Sequence, residues 1–218
     1  SRSGYFTNLA EGLRHVRADK IIVVTLVITI VMNMFAFPYQ HMVPVIGNET
    51  LKVGPLLIGL LLATEGMGAT VGSLIIALKA RAGGYTRIYA FGSMIFLVAI
   101  LLFSLAPTYW MALPALLAGG FSMAGFSTMQ SIIVISSTPA AIRGRVLGVL
   151  AASIGTGPFG ALIVGALAVW WGASNAVTAI AATGLTLTVL SLVIWPAFLR
   201  SSVGARDSAS AVVRKSER

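Results

Sequence analysis

The sequence predicts an all-α membrane protein of six transmembrane helices, and three observations carry that prediction. Long apolar runs alternate with short polar gaps along 218 residues. Charged residues are 10% of the chain and hydrophobic ones 57%, where a soluble domain has roughly 25% charged. The cations are also one-sided. Threading the chain back and forth six times gathers Arg2, Arg14, Arg17, Lys20, Lys79, Arg81, Arg87, Arg143, Arg145, Arg200, Arg206, Arg214, Lys215 and Arg218 on one face, leaving only Lys52 on the other. That positive-inside bias places both ends of the chain in the cytoplasm. The short loops are the stricter test, because tails collect charge for other reasons. Lys79, Arg81, Arg87, Arg143 and Arg145 stand against Lys52 alone, so the bias holds.

A helix needs about 20 apolar residues to cross the hydrocarbon core. The first is expected from Ile21 to Val43, with Pro38 and Pro44 disturbing its outer end. Gly47-Asn48-Glu49-Thr50 reads as an outer loop, followed by a second helix over Val53–Leu78. The third covers Ile88–Leu105 and is closed by Ala106-Pro107-Thr108. The fourth, Trp110–Ser137, stops before Pro139, which cannot continue a helix comfortably. Val146–Trp170 and Ser174–Leu199 make the fifth and sixth. Tyr109, Trp110, Trp170 and Trp171 fall at the outer ends, where amphipathic rings prefer to sit. The runs are continuous rather than alternating, which argues against a β-barrel.

The flanks differ. Residues 5–19 set Phe6, Leu9, Leu13 and Val16 at helical spacing against a basic face, as in a short helix lying on the membrane surface. Residues 201–218 are rich in Ser, Ala and Arg without an apolar face, and disorder is expected there. The organisation is therefore a cytoplasmic linker (1–20), a six-helix bundle (21–199) and a basic cytoplasmic tail (200–218). No signal peptide is visible, and insertion is expected to rely on the spans themselves.

A net charge of +9 would suit a nucleic-acid binder. The basic residues sit in short gaps with no continuous face to track phosphates, so anionic lipid at the bilayer surface is the partner they fit. The absence of cysteine excludes disulfides and thiolate metal sites. There is no Gly-x-x-x-x-Gly-Lys-Ser/Thr loop for nucleotide hydrolysis and no His-Glu-x-x-His pair. Neither a cofactor, a metal nor an enzymatic activity is expected.

Glu65 stands midway along the second helix, near the bilayer midplane. A charge there costs at least ~2.5 kcal/mol on insertion scales, so the side chain should face protein or water, or be neutral. Gly68, Ala69 and Gly72 follow at i+3, i+4 and i+7 and give it a small-residue face for another helix. Such a carboxyl can bind and release a proton, or act as hydrogen-bonding glue between helices. On the first helix Thr29, Asn33, Ala36 and Gln40 share a face, with His41 beside them at the interface. On the fourth, Gln130 neighbours Phe126 and Ser127, with Met123 a turn further back. Buried amides need partners, so Asn33, Gln40 and Gln130 either orient a substrate, with Phe126 and Met123 adding apolar contacts, or bond between helices. Gly155-Thr156-Gly157-Pro158 breaks the fifth helix and marks a hinge or a site of close packing.

A family resemblance adds to this. Thr138-Pro-Ala-Ala-Ile-Arg-Gly-Arg-Val-Leu-Gly-Val-Leu150, followed by Gly155-Thr-Gly-Pro-Phe-Gly-Ala-Leu-Ile-Val-Gly165, resembles the segment joining helices ten and eleven of major facilitator superfamily transporters. The nearest likeness is to the branch of siderophore exporters and macrolide-type efflux proteins. Leu9-Ala-Glu-Gly-Leu-Arg-His-Val-Arg17 is similar to that branch's central linker. The resemblance implies the C-terminal half of a twelve-helix transporter, a 3+3 inverted repeat whose partner is the N-terminal six-helix half. Its first, second, fourth and fifth helices would line a cavity carrying Asn33, Gln40, Glu65 and Gln130, and Arg143 and Arg145 would latch a cytoplasmic gate. The activity implied is proton-coupled efflux of an amphipathic small molecule, such as a drug or siderophore, across a bacterial inner membrane. In one respect the sequence departs from the superfamily: the loop Leu78-Lys-Ala-Arg-Ala-Gly-Gly-Tyr-Thr-Arg87 lacks the acidic residue of the usual motif. The competing classes are the membrane subunit of an ATP-driven transporter and a non-transporting scaffold or lipid-handling protein.

Overall fold

The computed structural model describes residues 16, 17, 19–80 and 83–201. Most of the expected surface helix and of the basic tail lies outside them. Among the described residues the chain forms helices and no strand. Six spans are long and apolar enough to cross a membrane: Lys20–Glu49, Pro55–Lys79, Tyr85–Ser104, Tyr109–Ser137, Ala140–Trp171 and Ala173–Ile194.

The first span opens on Asp19, whose carboxylate accepts the Ile21 backbone N–H at 2.8 Å and caps the helix. Contrary to expectation it runs through both prolines to Glu49. Pro38 has no N–H to offer the Met34 carbonyl, and just before it the backbone loosens into a π-helical segment, Met32–Ala36. There Phe37 N–H reaches the Met32 carbonyl at 3.0 Å. The outer connection therefore falls at residues 50–54 rather than 47–50, and Pro55 starts the second span in the first turn, where its missing donor does no harm.

The other ends follow the same logic. The sixth span stops at Ile194 instead of Leu199, because Pro196 disfavours a helical residue before it; a short turn, Ala197–Arg200, follows. The fifth starts earlier than expected, with a 3-10 turn at Ala140–Ile142 and a helix from Arg143. Arg143 and Arg145 thus belong to a helix and not to a loop. This span is broken at Gly155–Thr156, giving Arg143–Ile154 and Gly157–Trp171 with Pro158 in the second segment's first turn. Gly172 alone joins the fifth and sixth spans at φ 79°, a left-handed conformation that glycine adopts freely.

The fourth span packs against the second and the third, the third against the sixth, and the sixth against the fifth. The order around the bundle is therefore second, fourth, third, sixth, fifth, with the first span lying inside and touching most of the others. No comparable seam joins the second to the fifth. Those two are also the least covered: 22% and 28% of their most apolar stretches are buried, against 61% in the first.

Inside the bundle, several hydroxyls satisfy themselves locally. Thr25, Thr29, Ser93 and Thr138 each donate to the carbonyl four residues back. Tyr89 ties the third span to the first, donating to the Thr25 carbonyl at 2.8 Å with its oxygen 3.0 Å from Thr29 Oγ1. A line of rings runs along the core, Phe198–Tyr89–Phe126–Phe37–Phe96–Tyr39–Phe103, with successive centroids 5.3–6.2 Å apart. Such pairs contribute about 0.5–1.5 kcal/mol each beyond their burial.

Candidate functional site

The second span buries a single stripe: Leu61, Glu65, Gly68 and Gly72. The spacing of four, three and four residues keeps these positions on one helical face. Gly68 and Gly72 lie against the backbone of Leu117 and Phe121 on the fourth span, and Gly120 lies against the Glu65 carbonyl. A Cβ at any of the three would meet main chain. This close approach turns Glu65 away from the bilayer and into the bundle, where it is 6% exposed.

From the first span Gln40 Nε2 donates to Glu65 Oε1 at 3.2 Å. The Tyr39 hydroxyl, on a fully buried ring, comes within reach of the same carboxylate but meets the geometry of a hydrogen bond with no partner. Gln40 itself is exposed. The carboxylate is therefore internal, while the residue that donates to it stands at the surface. Chemically the set serves both protonation states: an ionised carboxylate takes N–H and O–H donors, and a neutral carboxyl can donate to an amide or phenol oxygen.

Asn33 lies in the π-helical segment, 8% exposed, and donates from Nδ2 to the Thr29 carbonyl at 2.9 Å. Its Oδ1 faces the break in the fifth span, 4.0 Å from where a Gly157 Cβ would stand. One turn on, Gly160 seats against the Met34 carbonyl and the Pro38 ring. The two interruptions, one in each span, are thus interlocked near the middle of the bundle. This carbonyl is the one that Pro38 deprives of its usual donor, and the close approach leaves no room for a Cβ at Gly160.

Gln130 is buried but makes no hydrogen bond among the described residues. It lies ten residues along the fourth span from Gly120, about 15 Å at 1.5 Å per residue, so it is not part of the Glu65 cluster. Phe126 corrects the sequence reading. Its ring stacks on Tyr89 at 5.3 Å inside the core, so it is not available as a cavity contact. His41 is exposed, as expected near an interface. Arg143 Nη2 bonds the Thr138 carbonyl at 3.4 Å, closing the end of the fourth span, and Arg145 follows in the same helix.

The structure thus joins Gln40 to Glu65, puts Asn33 against the helix break at Gly155, Gly157 and Pro158, and leaves Gln130 apart. Tyr39 is the member that sequence reasoning missed. Its only signal was adjacency to Gln40, and an aromatic in an apolar span reads as core. Among the described residues no group of His, Asp and Glu could hold a metal ion. Against individually curated proteins the chain has no match. A family model described as transmembrane secretion effector matches residues 1–215. With six membrane-crossing helices beneath that match, the chain belongs to the transmembrane secretion effector family of major facilitator transporters.

Proposed function

We propose that this chain is the C-terminal six-helix half of a twelve-helix secondary transporter that expels an amphipathic small molecule in exchange for protons. In this reading it sits in a bacterial inner membrane with both ends of the chain cytoplasmic. Glu65 carries the proton, Gln40 links it to the cavity, and Gln130 contacts substrate separately. The break at Gly155, Gly157 and Pro158, seated against Asn33, is the hinge, and Arg143 and Arg145 lie at the cytoplasmic gate.

One observation carries the reading: a carboxylate buried at mid-membrane has its Gln40 donor exposed on the first span. An ionisable group at that depth marks a coupling or substrate pathway by default. The fifth span adds support, because Ile154 and Gly155 at its interruption are exposed. Non-helical backbone at membrane depth is tolerated only against protein or a water-filled cavity. Covering the open side between the second and fifth spans is the role assigned to the N-terminal half.

The test is transport of fluorescent amphipathic dyes by the complete gene product in inside-out vesicles energised with a proton gradient. Glu65→Gln should abolish the gradient-driven component while the protein still inserts and melts normally. Undiminished gradient-driven transport by that variant would remove Glu65 from the coupling path. ATP-driven uptake without a gradient would favour an ATP-driven system instead.

A further inference from the structure

We infer that a phospholipid acyl chain occupies a groove between the third and fourth spans, at the end of the bundle away from the cationic loops. The cavity there measures about 390 Å³. Its floor is made by Ala99 and Ala115, both buried, and its rims by Leu102 and Met111, both strongly exposed. Small residues below and large ones at the edges carve a channel in the surface rather than a flat face.

Dimensions and position select the occupant. Along the third span the groove runs from Ile95, near the middle of the helix, to Leu105 at its end. Ten residues of helix span about 15 Å, half of a hydrocarbon core about 30 Å thick. The groove therefore has the length of one leaflet, from the interface to the midplane. Trp110, 78% exposed, stands beside its mouth at the depth of lipid headgroups. The lining is almost wholly apolar, so water lacks the polar partners it needs there, whereas a methylene chain gains van der Waals contacts along the whole channel.

The same chemistry disfavours a protein helix as occupant. Helices approach closely in membranes over small residues, as Gly68 and Gly120 show within this bundle. At the groove the buried small residues, Ala99 and Ala115, are flanked by the exposed side chains of Leu102 and Met111, which hold a helix backbone off them. Within the bundle's order this seam also lies opposite the unclosed side between the second and fifth spans, so the proposal does not depend on what covers that side.

The test uses the complete protein in phosphatidylethanolamine–phosphatidylglycerol vesicles that contain phosphatidylethanolamine with a photoreactive diazirine in its acyl chain. After illumination, adducts are mapped by peptide mass spectrometry. Labelling of Leu102, Met111 and Ala118 should exceed that of Val193 and Leu190, exposed on the sixth span, by severalfold. Ala118→Phe, which fills the inner end of the groove, should reduce it severalfold, and Val193→Phe should not. Even labelling of all exposed apolar residues overturns the proposal. So does labelling that Ala118→Phe leaves intact, or that a transported dye displaces, since the groove would then belong to the dye. If Ala118→Phe fails to fold, the labelling ratio in the unaltered protein decides alone.

Discussion

Gly120 touches the backbone carbonyl of Glu65, and the second and fourth spans meet there with no room for a Cβ. That contact fixes the rotation of the second span and hence the inward aim of the carboxylate. Gly120→Ala should force the two backbones apart, and overpacking of this kind costs about 1–3 kcal/mol. The expected outcome is a clear fall in melting temperature in detergent, together with weaker gradient-driven transport. Gly54→Ala, at a position with open space around it, should melt like the parent. Equal melting of the two variants would show that the seam is looser than described.

Tyr39 and Gln40 should separate stability from function. The Tyr39 hydroxyl is buried without a hydrogen bond, and an unsatisfied buried polar group is destabilising by about 1–3 kcal/mol. Tyr39→Phe should therefore melt at the parent's temperature or above it, while proton-driven transport falls if the hydroxyl serves Glu65 during the cycle. Gln40→Leu removes a donor that is present, at 3.2 Å from Glu65. Leaving a buried polar group without its partner costs about 1–3 kcal/mol, so this variant should lose both stability and transport. Thermal melts and vesicle transport measured on the same preparations decide the matter; a Tyr39→Phe protein that melts well below the parent would contradict the buried, unpartnered hydroxyl.

Much of this arrangement was legible in the sequence, and the exceptions have physical causes. Six apolar runs produced six spans because run length is a local property. Their ends were less legible, since they depend on how a proline is accommodated. Pro38 is absorbed by the segment Met32–Ala36 and a glycine on another span, neither of which its own neighbourhood reveals. The inward aim of Glu65 was readable from the spacing of Gly68 and Gly72, a single-helix pattern. The placements of Phe126, Gln130 and Tyr39 were not, because each depends on the rotation of one span against another. That rotation is set by contacts such as Gly120 with Glu65, which join residues distant in the chain.

The break in the fifth span predicts a trade of stability against rate. Pro158→Ala would restore an N–H that can reach the Ile154 carbonyl, and Gly155→Ala would remove the backbone freedom at the break. In a first turn proline costs little, so most of the gain is that of alanine over glycine, up to about 1 kcal/mol. The double variant should melt higher than the parent and turn over more slowly, because the span no longer bends where it seats against Asn33. Transport at the parental rate, with the higher melting temperature, would assign the break to packing alone.

The one-sided charge gives the most direct test of orientation, and the absence of cysteine makes it clean. Lys52 lies in the connection before the second span and Lys79 at that span's last turn; both are exposed. The 25 residues between Pro55 and Lys79 form one uninterrupted helix, about 37 Å long at 1.5 Å per residue. That exceeds a hydrocarbon core of about 30 Å, so the two lysines must lie on opposite sides of the membrane. Five cations at or between the span ends on the Lys79 side, against one on the other, predict that the Lys79 side is cytoplasmic. A membrane-impermeant maleimide should therefore label Lys52→Cys in intact cells and Lys79→Cys only after permeabilisation, with Thr108→Cys behaving like Lys52→Cys. The reverse pattern would leave the bundle intact but invert it, placing Arg143 and Arg145 on the outer side.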